Sequence, residues 1–109
     1  MERRVRVTEQ AVQDLDAIAG YIARDSRLRG SQFVADALAR AESLAFFPER
    51  GRVVPEFSIE SVHEIYLHRF RLIYRVDIEV VYVIAVIHGA RDLTAAWQHE
   101  GRSDPRSIT

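Results

Sequence analysis

Val62-His63-Glu64-Ile65-Tyr66-Leu67-His68-Arg69-Phe70-Arg71-Leu72-Ile73-Tyr74-Arg75-Val76-Asp77-Ile78-Glu79-Val80-Val81-Tyr82-Val83-Ile84-Ala85-Val86-Ile87-His88 decides the fold, because its apolar residues recur with the period of two that marks strands. Val62 to His68 sets Ile65 and Leu67 on one face and Glu64, Tyr66 and His68 on the other. Phe70 to Val76 alternates Phe70, Leu72, Tyr74 and Val76 against Arg71, Ile73 and Arg75. Glu79 to His88 is almost wholly apolar, as a central strand covered on both faces must be. Arg69 joins the first two strands and Asp77-Ile78 marks the next reversal. Connections this short cannot carry a crossover, so the three strands form an antiparallel meander.

Upstream the period lengthens. Ala11, Leu15, Ile18 and Ile22 recur at spacings of four, three and four, which predicts an amphipathic helix from Glu9 to about Asp25 with Thr8 as its cap. Arg27-Leu28-Arg29-Gly30 reads as a turn. A second helix is predicted from about Ser31 to Phe46, with Val34, Ala37, Leu38, Ala41, Leu44 and Ala45 inward and Pro48 stopping it. Alanines at 37, 41 and 45 let two antiparallel helices approach closely. Arg4 to Thr8 alternates as a short strand expected at a sheet edge, and Pro48 to Glu60 reads as an extended connector. The expected architecture is α+β, a helix hairpin covering one face of a twisted antiparallel meander. Residues 1–97 form the single expected domain. Residues 98–109 are expected to be a polar, flexible tail, with Trp97 as a core anchor just before it.

Composition narrows the chemistry. The chain has 109 residues, and its 15 basic and 16 acidic residues give a net charge of −1. A balance so close to zero argues against generic nucleic-acid binding. Every basic residue is arginine, so any mechanism that needs a lysine is excluded, whereas planar recognition of carboxylate or phosphate is well served. Without cysteine there is neither a disulfide framework nor a thiolate site. The longest apolar run, Val80 to Ile87, is too short to span a membrane, and no secretory signal opens the chain, so a cytoplasmic location is expected. His63, His68, His88 and His99 form no close ligand cluster, and neither metal nor cofactor is expected.

Four segments in order carry a family resemblance: Val7-Thr8-Glu9-Gln10-Ala11 with Asp14-Leu15, Ile18 and Tyr21-Ile22; Phe47-Pro48-Glu49-Arg50-Gly51-Arg52 leading to Val54-Pro55-Glu56; Tyr66 through Arg75; and Val86-Ile87-His88-Gly89-Ala90-Arg91-Asp92-Leu93. Together they resemble the RelE/ParE superfamily of toxins from bacterial type II toxin–antitoxin systems. The resemblance implies growth arrest by the toxin and neutralisation by a cognate antitoxin that wraps around it in a hetero-oligomer. It also implies one of two activities. RelE-like members cleave messenger RNA on the ribosome, whereas ParE-like members poison DNA gyrase without established catalytic residues. The absence of lysine, which RelE-like catalytic faces use, favours the ParE-like branch and a protein that is not an enzyme.

The candidate site gathers Glu64, Tyr66, Arg71, Arg75, His88 and Arg91 on the meander's outward face and the turn after it. For a ribonuclease, Glu64 and His88 would serve as base and acid, and Arg71 or Arg91 as the cation facing the transition state, with Tyr66 or Tyr74 against a base. For a binding protein, Arg50, Arg52, Tyr66, Arg71, Arg75 and Arg91 would meet acidic side chains of the antitoxin, or the target. Each residue also has a plain reading. Tyr74 fits the core, Glu64 and Arg71 fit a cross-strand ion pair, and His88 fits a cap on the turn at its strand end. A third function is that of an inactive relative that only partners a DNA-binding antitoxin.

Overall fold

The computed structural model describes residues 2–109. Its elements are β1 (Arg4–Val7), α1 (Glu9–Ala23), α2 (Arg27–Ser43), β2 (Arg52–Val53), β3 (Val62–Leu67), β4 (Phe70–Val76), β5 (Val80–His88) and α3 (Leu93–His99). The strands lie in the order β1-β5-β4-β3-β2. The meander is as expected, with Leu67 opposite Phe70 and Phe70 opposite His88. β1 takes the expected edge but runs parallel to β5, so the sheet is mixed. The connector contributes β2 as a second edge, Arg52 facing Glu64.

Caps define the helices. Thr8 Oγ1 accepts the Ala11 N–H at 3.4 Å and donates to the Val83 carbonyl at 2.8 Å, so one hydroxyl starts α1 and ties it to β5. Ser26 caps α2 by accepting the Arg29 N–H at 3.2 Å. Arg27 to Gly30, expected as a turn, is therefore the first turn of α2. Gly30 sits where the helices are closest; a β-carbon there would lie 2.9 Å from the Ala19 carbonyl oxygen. α2 ends at Ser43, short of the expected Phe46, and leaves Phe46 and Phe47 exposed.

The hairpin covers one face of the sheet, burying Ala11, Leu15, Phe33, Ala37, Ala41 and Leu44 against Ile65, Leu67, Leu72, Tyr74, Val81, Val83 and Val86. The opposite face is not open. Val54, Leu93 and Trp97 pack over Val62, Ile73, Ile84, Ala85 and Ile87 there, with Phe57, Ile59, Tyr82 and Ile108 around them. A β-bulge makes this possible. Ile73 opposes Ala85 while Tyr74 opposes Val83, so Ile84 is an extra residue and the facing of β5 switches at that point.

The segment expected as a polar, flexible tail closes this second core. Trp97 is the anchor expected, and its indole N–H donates to the Ser103 carbonyl at 2.9 Å. Pro105 is buried, and its carbonyl accepts from Arg75 at 2.6 Å. Arg102 forms a two-pronged pair with Asp14 of α1 at 2.6 and 3.0 Å. Local composition is polar here, yet the polar atoms find partners far away in sequence, which no local pattern announces.

Candidate functional site

The strongest polar constellation lies on the face opposite the helix hairpin. β3 points Glu64 there, and the register sets Arg71 of β4 diagonally across from it. Arg71 Nε donates to Glu64 Oε1 at 2.5 Å, and Arg52 Nε donates to Glu64 Oε2 at 2.6 Å. Both terminal nitrogens of Arg71 reach Glu56, at 2.7 and 2.8 Å. Only 1% of the Glu64 side chain and 4% of the Arg71 side chain are exposed. The expected solvated pair is thus buried, and Arg52 and Glu56 extend it to the surface as a four-residue network, of which Glu56 is a member that the sequence reading did not single out. Hydrogen bonds from Arg71 hold the Glu56 carboxyl below its ordinary range, against a burial effect that raises it. The same bonds, donated to Glu56 and next to Glu64, hold the charge on Arg71 more firmly than usual.

Gly51 completes this corner. Its N–H donates to the Tyr74 hydroxyl at 3.0 Å, and a β-carbon would lie 2.3 Å from the Glu64 carbonyl oxygen. Tyr74 is wholly buried on the helix face, as the plain reading expected, and burial raises the pKa of its phenol.

Other expected residues do not join the network. Arg75 is 6% exposed, held by Pro105, with its guanidinium carbon 4.7 Å from the Tyr82 ring centre. Arg91 pairs with Glu100 at 2.8 Å, and Arg50 donates to Ser43 of α2 at 2.8 Å. Tyr66 is exposed on the network's side of the sheet and lies close to Gly89. His88 points to the other side, its ring 5.2 Å from that of Phe70, and its Nδ1 accepts the Ala90 N–H at 3.1 Å. The β5 bulge supplies the reason, since His88 falls in step with Val86 on the helix face whereas Glu64 falls in step with Ile73 on the opposite one.

This geometry corrects the expected site. Glu64 and His88 do not converge on one reacting group, and the arginine-studded flank is mostly closed. Arg71 and Arg75 are interior residues, while Arg52 and Arg91 are bound to carboxylates. Each oxygen of Glu64 accepts a hydrogen bond from an arginine. Among the described residues, no three His, Cys, Asp or Glu side chains are placed to hold a metal ion. Nor is any described helix long and apolar enough to cross a membrane.

A second polar cluster, which the sequence reading missed, joins α1 to the C-terminal segment. Asp14 accepts from Arg102 and from the Val86 N–H at 3.0 Å, and Glu100 bridges Arg91 and Arg102. Burial raises the Glu100 pKa, but the bonds from Arg91 and Arg102 outweigh it and the net shift is downward.

Comparison with known proteins agrees with this architecture. A chain of the chromosomal ParDE toxin–antitoxin system of P. aeruginosa superposes with a TM-score of 0.66 at 20% identity, covering 80% of the present chain and 96% of its own. At that identity the likeness speaks for the fold. No curated protein matches the sequence. A family model described as the ParE toxin of the type II toxin–antitoxin system, parDE, matches residues 5–93. With strand, helix hairpin and meander all inside that span, the chain belongs to the ParE toxin family.

Proposed function

We propose that this toxin arrests growth by binding, with DNA gyrase as the target and an acidic antitoxin segment as its neutraliser, and that it performs no chemistry of its own. The observation carrying this reading is the occupancy of the Glu64 network. A ribonuclease needs a base free to accept the 2′-hydroxyl proton and a cation free to meet the phosphorane. Here Arg52 and Arg71 take up the carboxylate of Glu64, Glu56 closes the fork of Arg71, and His88 lies across the sheet. A rigid platform of this kind suits a protein that acts by surface recognition.

Purified toxin incubated with gyrase, ATP and supercoiled plasmid should trap cleaved DNA, and translating ribosomes incubated with it should yield no codon-positioned cuts. Ribosomal cuts that disappear in His88→Ala would overturn the reading in favour of a nuclease. Normal growth on induction without antitoxin would favour the inactive relative.

A further inference from the structure

We propose that the end of the molecule formed by the α2–β2 loop and the β4–β5 turn is a contact surface for a second copy of this chain, related to the first by a two-fold axis. Past the end of α2 the chain carries Phe46 and Phe47 into solvent at 62% and 67% exposure, and the β4–β5 turn carries Ile78 at 85%. Arg3 joins the two loops. Its backbone N–H donates to the Ala45 carbonyl at 2.9 Å, and its Nε donates to the Asp77 carbonyl at 3.0 Å. Phe46 and Ile78 therefore each follow a residue anchored by the same arginine. Single exposed apolar side chains are ordinary, but three gathered from two loops, two of them adjacent aromatics, mark a contact site. Hollows of about 630 and 460 Å³ flank Phe46, the first towards Arg4 and Val5 and the second towards Pro48 and Arg50. A knob beside a hollow on one patch is a shape that two-fold rotation makes complementary to itself.

Charge and area select the occupant. Glu2, Glu42, Glu49 and Glu79 stand around these side chains, and none has an ion-pair partner among the described residues. Arg4 is exposed and unpaired in the same sense, while Arg3 and Arg50 are held only by neutral oxygens, a carbonyl and the Ser43 hydroxyl. Both signs thus stand without a counter-charge on one surface, and a two-fold axis sets the arginines of one copy against the glutamates of the other. Four carboxylates make the same surface a poor fit for a phosphate backbone or an anionic membrane. Area agrees. A phenylalanine buries about 150–250 Å², so the exposed parts of Phe46, Phe47 and Ile78 in two copies offer roughly 700–900 Å² of apolar surface. Interfaces are roughly 60% apolar, so covering it corresponds to about 1,200–1,500 Å² in total, within the range of specific, stable contacts. This inference needs neither the gyrase nor the antitoxin reading above.

Analytical ultracentrifugation of the purified full chain over a dilution series should show a dimer that dissociates to monomer on dilution, and does so more readily in high salt. The double change Phe46→Ser/Phe47→Ser should raise the Kd about tenfold or more, and Ile78→Asp on the other loop should act in the same direction. Leu28→Ser removes a side chain that is 68% exposed at the α1–α2 corner, and the dimer should be unaffected. Circular dichroism should show all three variants folded as the parent is, since the side chains changed lie in solvent; where the double change disturbs the end of α2, Ile78→Asp alone decides. A chain that is monomeric at every concentration overturns the proposal. So does a dimer that persists unchanged in both loop variants, or one that Leu28→Ser disperses as strongly. A monomer that loses binding to DNA or to anionic vesicles in both loop variants overturns it as well, and assigns the surface to that other occupant.

Discussion

Two groups of arginines, chemically identical in sequence, end in opposite situations. Arg52 and Arg71 lie over the sheet with Glu56 and Glu64, their charges paired with carboxylates of the same chain. Arg29 and Arg69 stand at a helix corner and a strand turn, exposed and without a side-chain partner among the described residues. The first group holds elements together and the second is available to a partner. Position in the tertiary structure, and not the arginine itself, separates paired charge from free charge.

The largest expected break in this contrast is Arg71→Ala. It leaves Glu64, with a side chain 1% exposed, short of its main counter-charge, and denaturant unfolding should show a loss of about 3–5 kcal/mol. Replacing both partners, Arg71→Met with Glu64→Leu, should recover much of that loss, because burying the pair costs much of what the pairing returns. An unchanged midpoint in Arg71→Ala would mean that the network is ornamental.

Gly51→Ala comes next, at about 2–3 kcal/mol. Its methyl would collide with the Glu64 carbonyl and the Tyr74 hydroxyl, which are backbone and core and do not swing aside. Thermal unfolding reads this directly. Arg102→Ala should cost about 2 kcal/mol and, more tellingly, should raise hydrogen exchange at Ser103–Ser107 while leaving the meander protected.

Acid should act on the paired carboxylates. Glu56 and Glu100 both have folded-state pKa values below their ordinary 4.5. Their stabilising contribution is complete above 4.5 and is lost as pH falls through the lowered values, since the unfolded chain then binds the proton more readily. Stability measured against pH should therefore drop below about 4.5, with a shallower slope in the Arg71 variants. Arg29→Glu/Arg69→Glu should produce the smallest effect, with no measurable shift in Tm, because those side chains hold nothing inside the fold. A large destabilisation there would erase the distinction between the two groups.

Much of this frame was readable in advance. The meander, its short reversals and the facing of Ile65, Leu67, Leu72 and Tyr74 followed from a period of two, and α1 from the Ala11–Ile22 stripe and the Thr8 cap. The start of α2 did not, because Gly30 looked like punctuation until Ser26 proved to be the cap and the α1–α2 contact required a residue without a side chain. The site was legible only in part. Glu64 and Arg71 were paired correctly, but the bond from Arg71 to Glu56, in a connector with no regular pattern, was not foreseen.

What the sequence by itself determined is β1, the helix hairpin and the antiparallel order of the meander, since periodicity, capping and short connections act between residues close along the chain. Only the tertiary structure decided which arginines are spent and which are free. An extra residue at Ile84 turned His88 away from Glu64, and the return of Arg102 to Asp14 closed a face that local pattern left open. Charge pairing depends on distance in space, and the partners concerned lie as many as 88 residues apart in the chain.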